Sequence, residues 1–482
     1  MSNLTDLLPA GAGGKQVDFV ASGTIGNGVT VALNSDGTVE AVAATSIPQA
    51  IGSPSVFESA QTTNLSSGFD SNSNKVVMAY RDNGNSTYGT AVVGTVSGTS
   101  ISFGTPVVFE SAQTNETAVE FDSNSNKIVI AYQDGGNAQK GTAIVGTVSG
   151  TSISFGTPVI FNNAQTNYIE AAFDSLSNKV VIAFADQFTP YYGKAVVGTV
   201  SGTSISFGSV VTFESAQTTF LDITFDSNSN KIVIAYTDNG NSSYGTAVIG
   251  TVSGTSISFG APVVYTSASS KNMAIAFDSN SNKVVVAYAD VASDDGFAVV
   301  GTVSGTSITF GTPVEYDSVL AVTPAIAFNS AANKIVIAYR GGFGYGETVV
   351  GTVSGTSITF DPMVYFAQTP TSNQCAIFDS GSNVVVISYT QDTGGNFGTS
   401  VVFQNAYTAT NNTDFIGISD AAISDTASGS VTIKGGISTN VTGLTPNQNY
   451  YVQANGSLST TASDVLAGKA LSSTSINLDY TT

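Results

Sequence analysis

The chain has 482 residues, 41% of them apolar, which is enough to bury a large core and too much for a disordered segment. Only 10% are charged, and 34 acidic against 14 basic residues leave a net charge of -20, which repels phosphate backbones; no basic cluster offers itself to a nucleic acid or an anionic membrane. With no His, a Ser or Cys hydrolase triad lacks its usual base, and the single Cys375 excludes an internal disulfide and is expected as a small buried apolar residue.

In chain order, residues 1–16 lack a cationic start followed by an apolar core, and no later run approaches ~18 apolar residues, so neither a secretory leader nor a membrane span is expected and the chain is expected to be made in a cytoplasm. Residues 16–43 read as β-hairpins, with NSDG as a tight-turn signal between alternating strands. From residue 52 a long repeat takes over. The phrase FDSNSNK and its variants place a Phe at Phe69, Phe121, Phe173, Phe225, Phe277, Phe328 and Phe378, at steps of 52, 52, 52, 52, 51 and 50. Six copies carry a downstream [VI]GTVSGTS, beginning at Val93, Val145, Val197, Ile249, Val300 and Val350. Self-similarity at this period means one repeat architecture.

One unit, residues 117–161, shows four strands. TAVEFD alternates; SNSN is a cluster of turn residues; KIVIAYQD is a continuous β-branched run suited to burial on both faces; TAIVGTV and SISFGTPVIF follow, separated by the turn SGT. No helical period occurs. The fold class expected is therefore all-β: a seven-bladed β-propeller of four-stranded repeats. The outer-strand phrase appears once before the first full unit, as GSPSVFESAQT at residues 52–62, and the seventh unit stops near residue 406. Pairing of residues 49–58 with the strands of residues 373–406 closes the ring and hides both sheet edges. An open solenoid is the alternative.

In such blades the SNSN and SGT turns share one face, and these are nearly unchanged from copy to copy. The opposite face carries turns that differ, from RDNGNSTYG and QDGGNAQKG to ADQFTPYYG, TDNGNSSYG and RGGFGYG, and crossings that differ as well. Drift of duplicated units explains divergence alone. The chemistry adds a second reading: Tyr88, Tyr168, Phe188, Tyr191, Tyr192, Phe220 and Tyr244, with Phe297, Phe343 and Tyr345, put rings on this face beside Asp82, Asp134, Asp186, Asp238 and Asp290. Rings stack on the CH faces of sugars while acceptors take their hydroxyls, so these residues are the expected ligand-binding set, although some rings will pack beneath the loops.

Enzymatic readings are weaker. A sialidase needs an Arg cluster, and only Arg81 and Arg340 exist. Glycoside hydrolysis needs two carboxylates, for which Glu170, Asp186 and Asp222 are available, but no spacing marks a pair. The DSNSN turns alternate oxygen side chains as a calcium loop does, yet a Lys follows in place of the required Gly and no bidentate Glu closes the loop, so a turn held by side-chain to backbone hydrogen bonds is expected, with no metal and no cofactor.

After the ring, residues 411–482 form another short-strand β module, expected to join residues 1–48 in a pedestal on the side of the uniform turns. Here the tail, GLTPNQNYYVQANGSLSTT and LAGKALSSTSINL, and the head, GTIGNGVTVALNSDGTVEAV, resemble terminal modules of virion structural proteins of tailed bacteriophages, marine ones in particular; the resemblance covers about 120 of the 482 residues. It implies a non-enzymatic virion surface protein, a fibre, knob or capsid decoration. Residues 1–48 and 408–482 would anchor it to other virion proteins, and the propeller of residues 49–407 would bind host-surface polysaccharide. Copies of the same chain are compatible partners; nucleic acid and membrane insertion are not expected. A purely structural decoration and a polysaccharide-degrading enzyme are the competing readings, the latter requiring two carboxylates that face each other in a pocket.

Overall fold

A computed structural model describes residues 15–478, so the expectation of no leader in residues 1–16 falls largely outside the described residues. The chain divides into two compact units, residues 48–405 and the two ends from residues 47 and 406 outward.

The first unit is a seven-bladed propeller. Its recurring element is a 16-residue strand such as Val107–Asp122, whose first half is the outer strand of one blade and whose second half is the inner strand of the next. Val107 and Val108 pair with Ala91 and Thr90 of blade one, whereas residues 117–122 pair with residues 127–132 of blade two. Between the halves the register slips by a bulge. Lys127–Asp134 and Lys140–Ser149 supply the second and third strands, and Ser152–Phe155 with the start of Val159–Asp174 supplies the fourth. Each blade is sandwiched between two others, which is why its second strand is apolar on both faces: Val76, Val77, Met78, Ala79 and Tyr80 are all fully buried.

The ring closes as the sequence suggests. Phe397–Gln404 pairs with Ala50–Ile51 and Ser55–Asp70, matching Phe403 with Ile51 and Ser400 with Ser55, so the start of the unit gives blade seven its outer strand. One residue position reports the contact between six of the seven pairs of neighbours. A Cβ added to Gly104 would lie 1.8 Å from the carbonyl oxygen of Thr151 in the SGT turn of the next blade, and Gly52, Gly156, Gly208, Gly260 and Gly311 meet Thr99, Thr203, Thr255, Thr306 and Thr356 in the same way. Gly52 of blade seven thus touches blade one. In blade six the position is Asp361, and blade seven has no SGT turn for it to strike.

The uniform turns are built by their own side chains. Asp226 Oδ1 accepts the N–H groups of Asn228 (2.9 Å) and Ser229 (3.0 Å), its Oδ2 accepts the Ser229 hydroxyl (2.7 Å), and Asn230 takes a left-handed φ of 56°. Asp70, Asp174 and Asp278 repeat the pattern, which leaves the carboxylates engaged within the turn, as read from the sequence.

The second unit interleaves the chain ends. Gln16–Val20, Ser428–Ile433, Phe415–Ser419, Thr30–Leu33 and Val39–Ala41 lie side by side in one sheet, and Ala44–Ile47 pairs with Tyr407–Thr410. A second small sheet comes from the tail alone, and a core including Val42, Phe415, Ile418, Tyr450, Val452 and Ile476 joins the two.

Candidate functional site in blades two to four

The bulge where each strand crosses from one blade to the next puts one residue in the left-handed region. The seven equivalents are Asn64, Glu116, Tyr168, Phe220, Asn272, Thr323 and Asn373, with φ between 46° and 52°. Asn suits this conformation and holds it in blades one, five and seven; a bulky residue there is strained by ~1 kcal/mol or more. Glu116, Tyr168 and Phe220 are consecutive, in blades two, three and four. The Tyr168 and Phe220 rings stand 5.6 Å apart, Glu116 Oε2 accepts the Tyr168 N–H at 3.1 Å, and Tyr191 lies close enough to raise the Tyr168 hydroxyl further, after burial and the Glu116 charge. The turn of blade three that carries Tyr191 presents Phe188 at 87% exposure, while Tyr191 and Tyr192 are half-buried.

Below this group lies a central channel, a cavity of about 500 Å³ lined by the inner strands of all seven blades. Three carboxylates on its wall, Glu120, Glu170 and Asp222, come from the same three blades. Glu170 and Asp222 occupy the same repeat position, opposite Ala183 and Ala235 in their blades. Asp222 Oδ1 accepts the Ile223 N–H and Oδ2 that of Ile275 in blade five, each at 2.7 Å, so it ties two inner strands together along their free edges. Burial raises the proton affinity of all these groups. Glu120 is pushed up to about 8 despite the Phe121 and Phe173 N–H groups; Glu170 is held well above the usual carboxylate range by burial, then by Asp222 and Glu116; Asp222 moves in the same direction for the same first reason. Cys375, expected in a core, is half-buried on this channel wall, its thiol pushed up to about 12 by burial.

The other expected site residues take different places. Tyr88 and Tyr244 begin third strands, half-buried and paired with Asp82 and Asp238. The aspartates are buried or nearly so and close their own turns: Asp82 Oδ1 accepts the Asn85 N–H, Asp238 that of Asn241 and Asp290 that of Ala292, while Asp186 accepts the Phe188 N–H and pairs with Lys194 Nζ at 2.5 Å. Asp134 is buried at the equivalent position of blade two. The acceptor beside the rings is therefore Glu116, with Glu170 and Asp222 on the channel wall. Glu116 and Glu120 escaped the sequence reading, although aligning the units shows Glu170 and Asp222 in phase and Asn as the commonest residue at the strained crossing. A second aromatic group, Phe343, Tyr345 and Tyr365 in blade six, joins rings at successive centroid distances of 5.9 Å; Tyr365 carried no sequence signal. Among the described residues no group of three or more His, Cys, Asp or Glu is placed to hold a metal ion.

The carboxyls fix a pH dependence. Their affinity for protons is higher in the fold than in the unfolded chain, so the fold is favoured at low pH and loses stability as pH rises from the ordinary carboxylate range towards about 8, where Glu120 ionises. Each tenfold rise in proton affinity is worth about 1.4 kcal/mol, lessened here because these side chains are only partly shielded from solvent. Thermal melts of Glu120→Gln are expected to match the parent near pH 5 and to exceed it by several degrees near pH 8.5; a variant that melts lower at both values contradicts this assignment.

No family model and no curated protein matches the chain. Solved structures similar to it include the NanB sialidase of Streptococcus pneumoniae (12% identity, 74% of this chain and 71% of that one, TM-score 0.44) and the BP39L lectin of Burkholderia pseudomallei (13%, 70% and 98%, 0.49). The Cps50 (Swd1) β-propeller domain of Myceliophteria thermophila is another (9%, 73% and 99%, 0.47). At these identities and scores the likeness carries no argument about ligand or reaction.

Proposed function

We propose that the protein is a non-enzymatic surface protein of a tailed-phage virion, held to the particle by the module of its chain ends and binding host-surface glycan at the variable face of its propeller. The observation that carries the binding half is the sector of blades two to four. There, strained Glu116, Tyr168 and Phe220 replace the Asn found in three other blades, Tyr191 lies near Tyr168 in a turn that also carries exposed Phe188 and half-buried Tyr192, and the carboxylates of the channel wall follow within a few residues on the same strands. Rings next to acceptors at the mouth of a cavity fit a sugar ring, whose CH face stacks and whose hydroxyls donate. The virion half rests on the likeness of both chain ends to phage terminal modules.

Binding is favoured over hydrolysis by the carboxyls themselves. A glycosidase needs one protonated and one ionised group flanking the scissile bond. Here Glu170 and Asp222 come from adjacent blades and burial pushes both towards the protonated form. A glycan array with the intact chain is expected to give binders that fall at least tenfold when Tyr191 and Tyr192 are replaced by Ala, with no release of reducing ends. Unchanged binding in that variant removes the site, and sugar release restores the enzymatic reading. Deletion of residues 411–482 is expected to abolish incorporation into particles.

A further inference from the structure

We propose that the central channel binds an organic ammonium ion, a primary amine on a slender apolar stem. The channel has two unlike walls. Blades two to four contribute Glu120, Glu170 and Asp222, with Glu116 beside them, whereas blades five to seven contribute Met273, Ile275, Pro324, Ala325 and Ile377. No Lys or Arg lines the cavity. Asp222, Glu116 and Glu120 each receive backbone N–H groups from a neighbouring blade or their own, but Glu170 receives no hydrogen bond, and its nearest charged neighbours are two more carboxylates.

Glu170 is half-buried with neither donor nor counter-charge beside it, and an ammonium group supplies three donors and the charge. A metal ion fits less well, since among the described residues no three acidic or sulfur side chains converge and both Asp222 oxygens already accept N–H groups. The apolar wall opposite gives the stem of such a ligand a surface to cover. The charge of -20 on the whole chain draws cations towards it. The two readings share Glu116 at the rim, but Glu120, Glu170 and Asp222 lie on the channel wall, and this inference needs none of the rim rings.

The test is calorimetric titration of the intact chain with n-pentylammonium and, as a neutral control of the same shape, 1-pentanol. It is run near pH 8.5, above the value of about 8 to which Glu120 is pushed, because a cation binds by displacing protons from the channel carboxyls into solvent; burial raises the proton affinity of Glu116, Glu170 and Asp222 as well, and Asp122 beside Glu120 and the Cys375 thiol are the other titratable groups facing them. The amine is expected to bind at least tenfold more tightly than the alcohol, at least tenfold more weakly to Glu170→Gln, and unchanged when Tyr191 and Tyr192 are Ala. Glu170→Gln keeps the side-chain volume and removes a group that the fold already holds towards its neutral form, so it is expected to fold, and Asp222→Asn provides a second variant. Equal binding of amine and alcohol, amine binding unaffected by Glu170→Gln, or no binding up to about 10 mM overturns the proposal.

Discussion

Replacing Gly156 by Ala is expected to destabilise the propeller by about 3 kcal/mol or more, a large change for one methyl group. The added Cβ would sit 1.8 Å from the Thr203 carbonyl oxygen. That oxygen belongs to the backbone of an SGT turn with its own left-handed Gly202, so the clash can be relieved only by parting two blades. The same substitution at Gly104 or Gly208 is expected to act alike. At Asp361, the equivalent position in blade six, Ala is expected to change stability by no more than about 0.5 kcal/mol, because the neighbouring blade has no turn there. Chemical denaturation of the four variants checks the contrast; similar losses at Gly156 and Asp361 would show that the glycine serves its own strand and not the seam between blades.

Much of this seam was legible in the sequence. The unit length, the SNSN and SGT turns, the doubly buried second strand and the stray outer-strand phrase at residues 52–62 all follow from local chemistry, and local chemistry is what repeats preserve. Even the departure at Asp361 fits the place where the repeat runs out. The binding sector was legible only in part. Tyr168, Phe220, Tyr191 and Phe188 were visible as rings on the divergent face, but Asp82, Asp186 and Asp238 hold their own turns, which composition cannot distinguish from reaching outwards. The channel carboxylates were hidden for another reason. Glu120, Glu170 and Asp222 interrupt inner strands at positions where other blades have Gly, Ala, Ser, Thr, Cys or Ile, and their proximity depends on a ring that brings residues 52 positions apart onto one wall. A list of acidic residues shows no pair until the units are overlaid.

The ring is also what defines the two faces and the channel, and locking it should give the largest stabilisation available to this chain. Ser55 and Ser400 face each other where the first strand of the propeller completes its last blade. Introducing Ser55→Cys with Ser400→Cys, in a Cys375→Ser background, places two thiols on directly opposed strand residues, a separation that a disulfide spans. The bond would close a loop containing nearly the whole propeller, and the chain-entropy argument makes that worth about 4 kcal/mol or more. Ser400 also hydrogen-bonds to Ser388 at 2.7 Å, so the oxidised variant is compared with its own reduced form rather than with the parent.

The most direct measurement is intact mass and gel mobility of this variant after mild oxidation of the native protein, followed by melting with and without reductant. A closed propeller predicts complete intramolecular cross-linking, no dimers, and a higher melting temperature that reductant abolishes. Free thiols in the folded protein, or cross-links only between molecules, would mean that the start of the unit does not lie on blade seven.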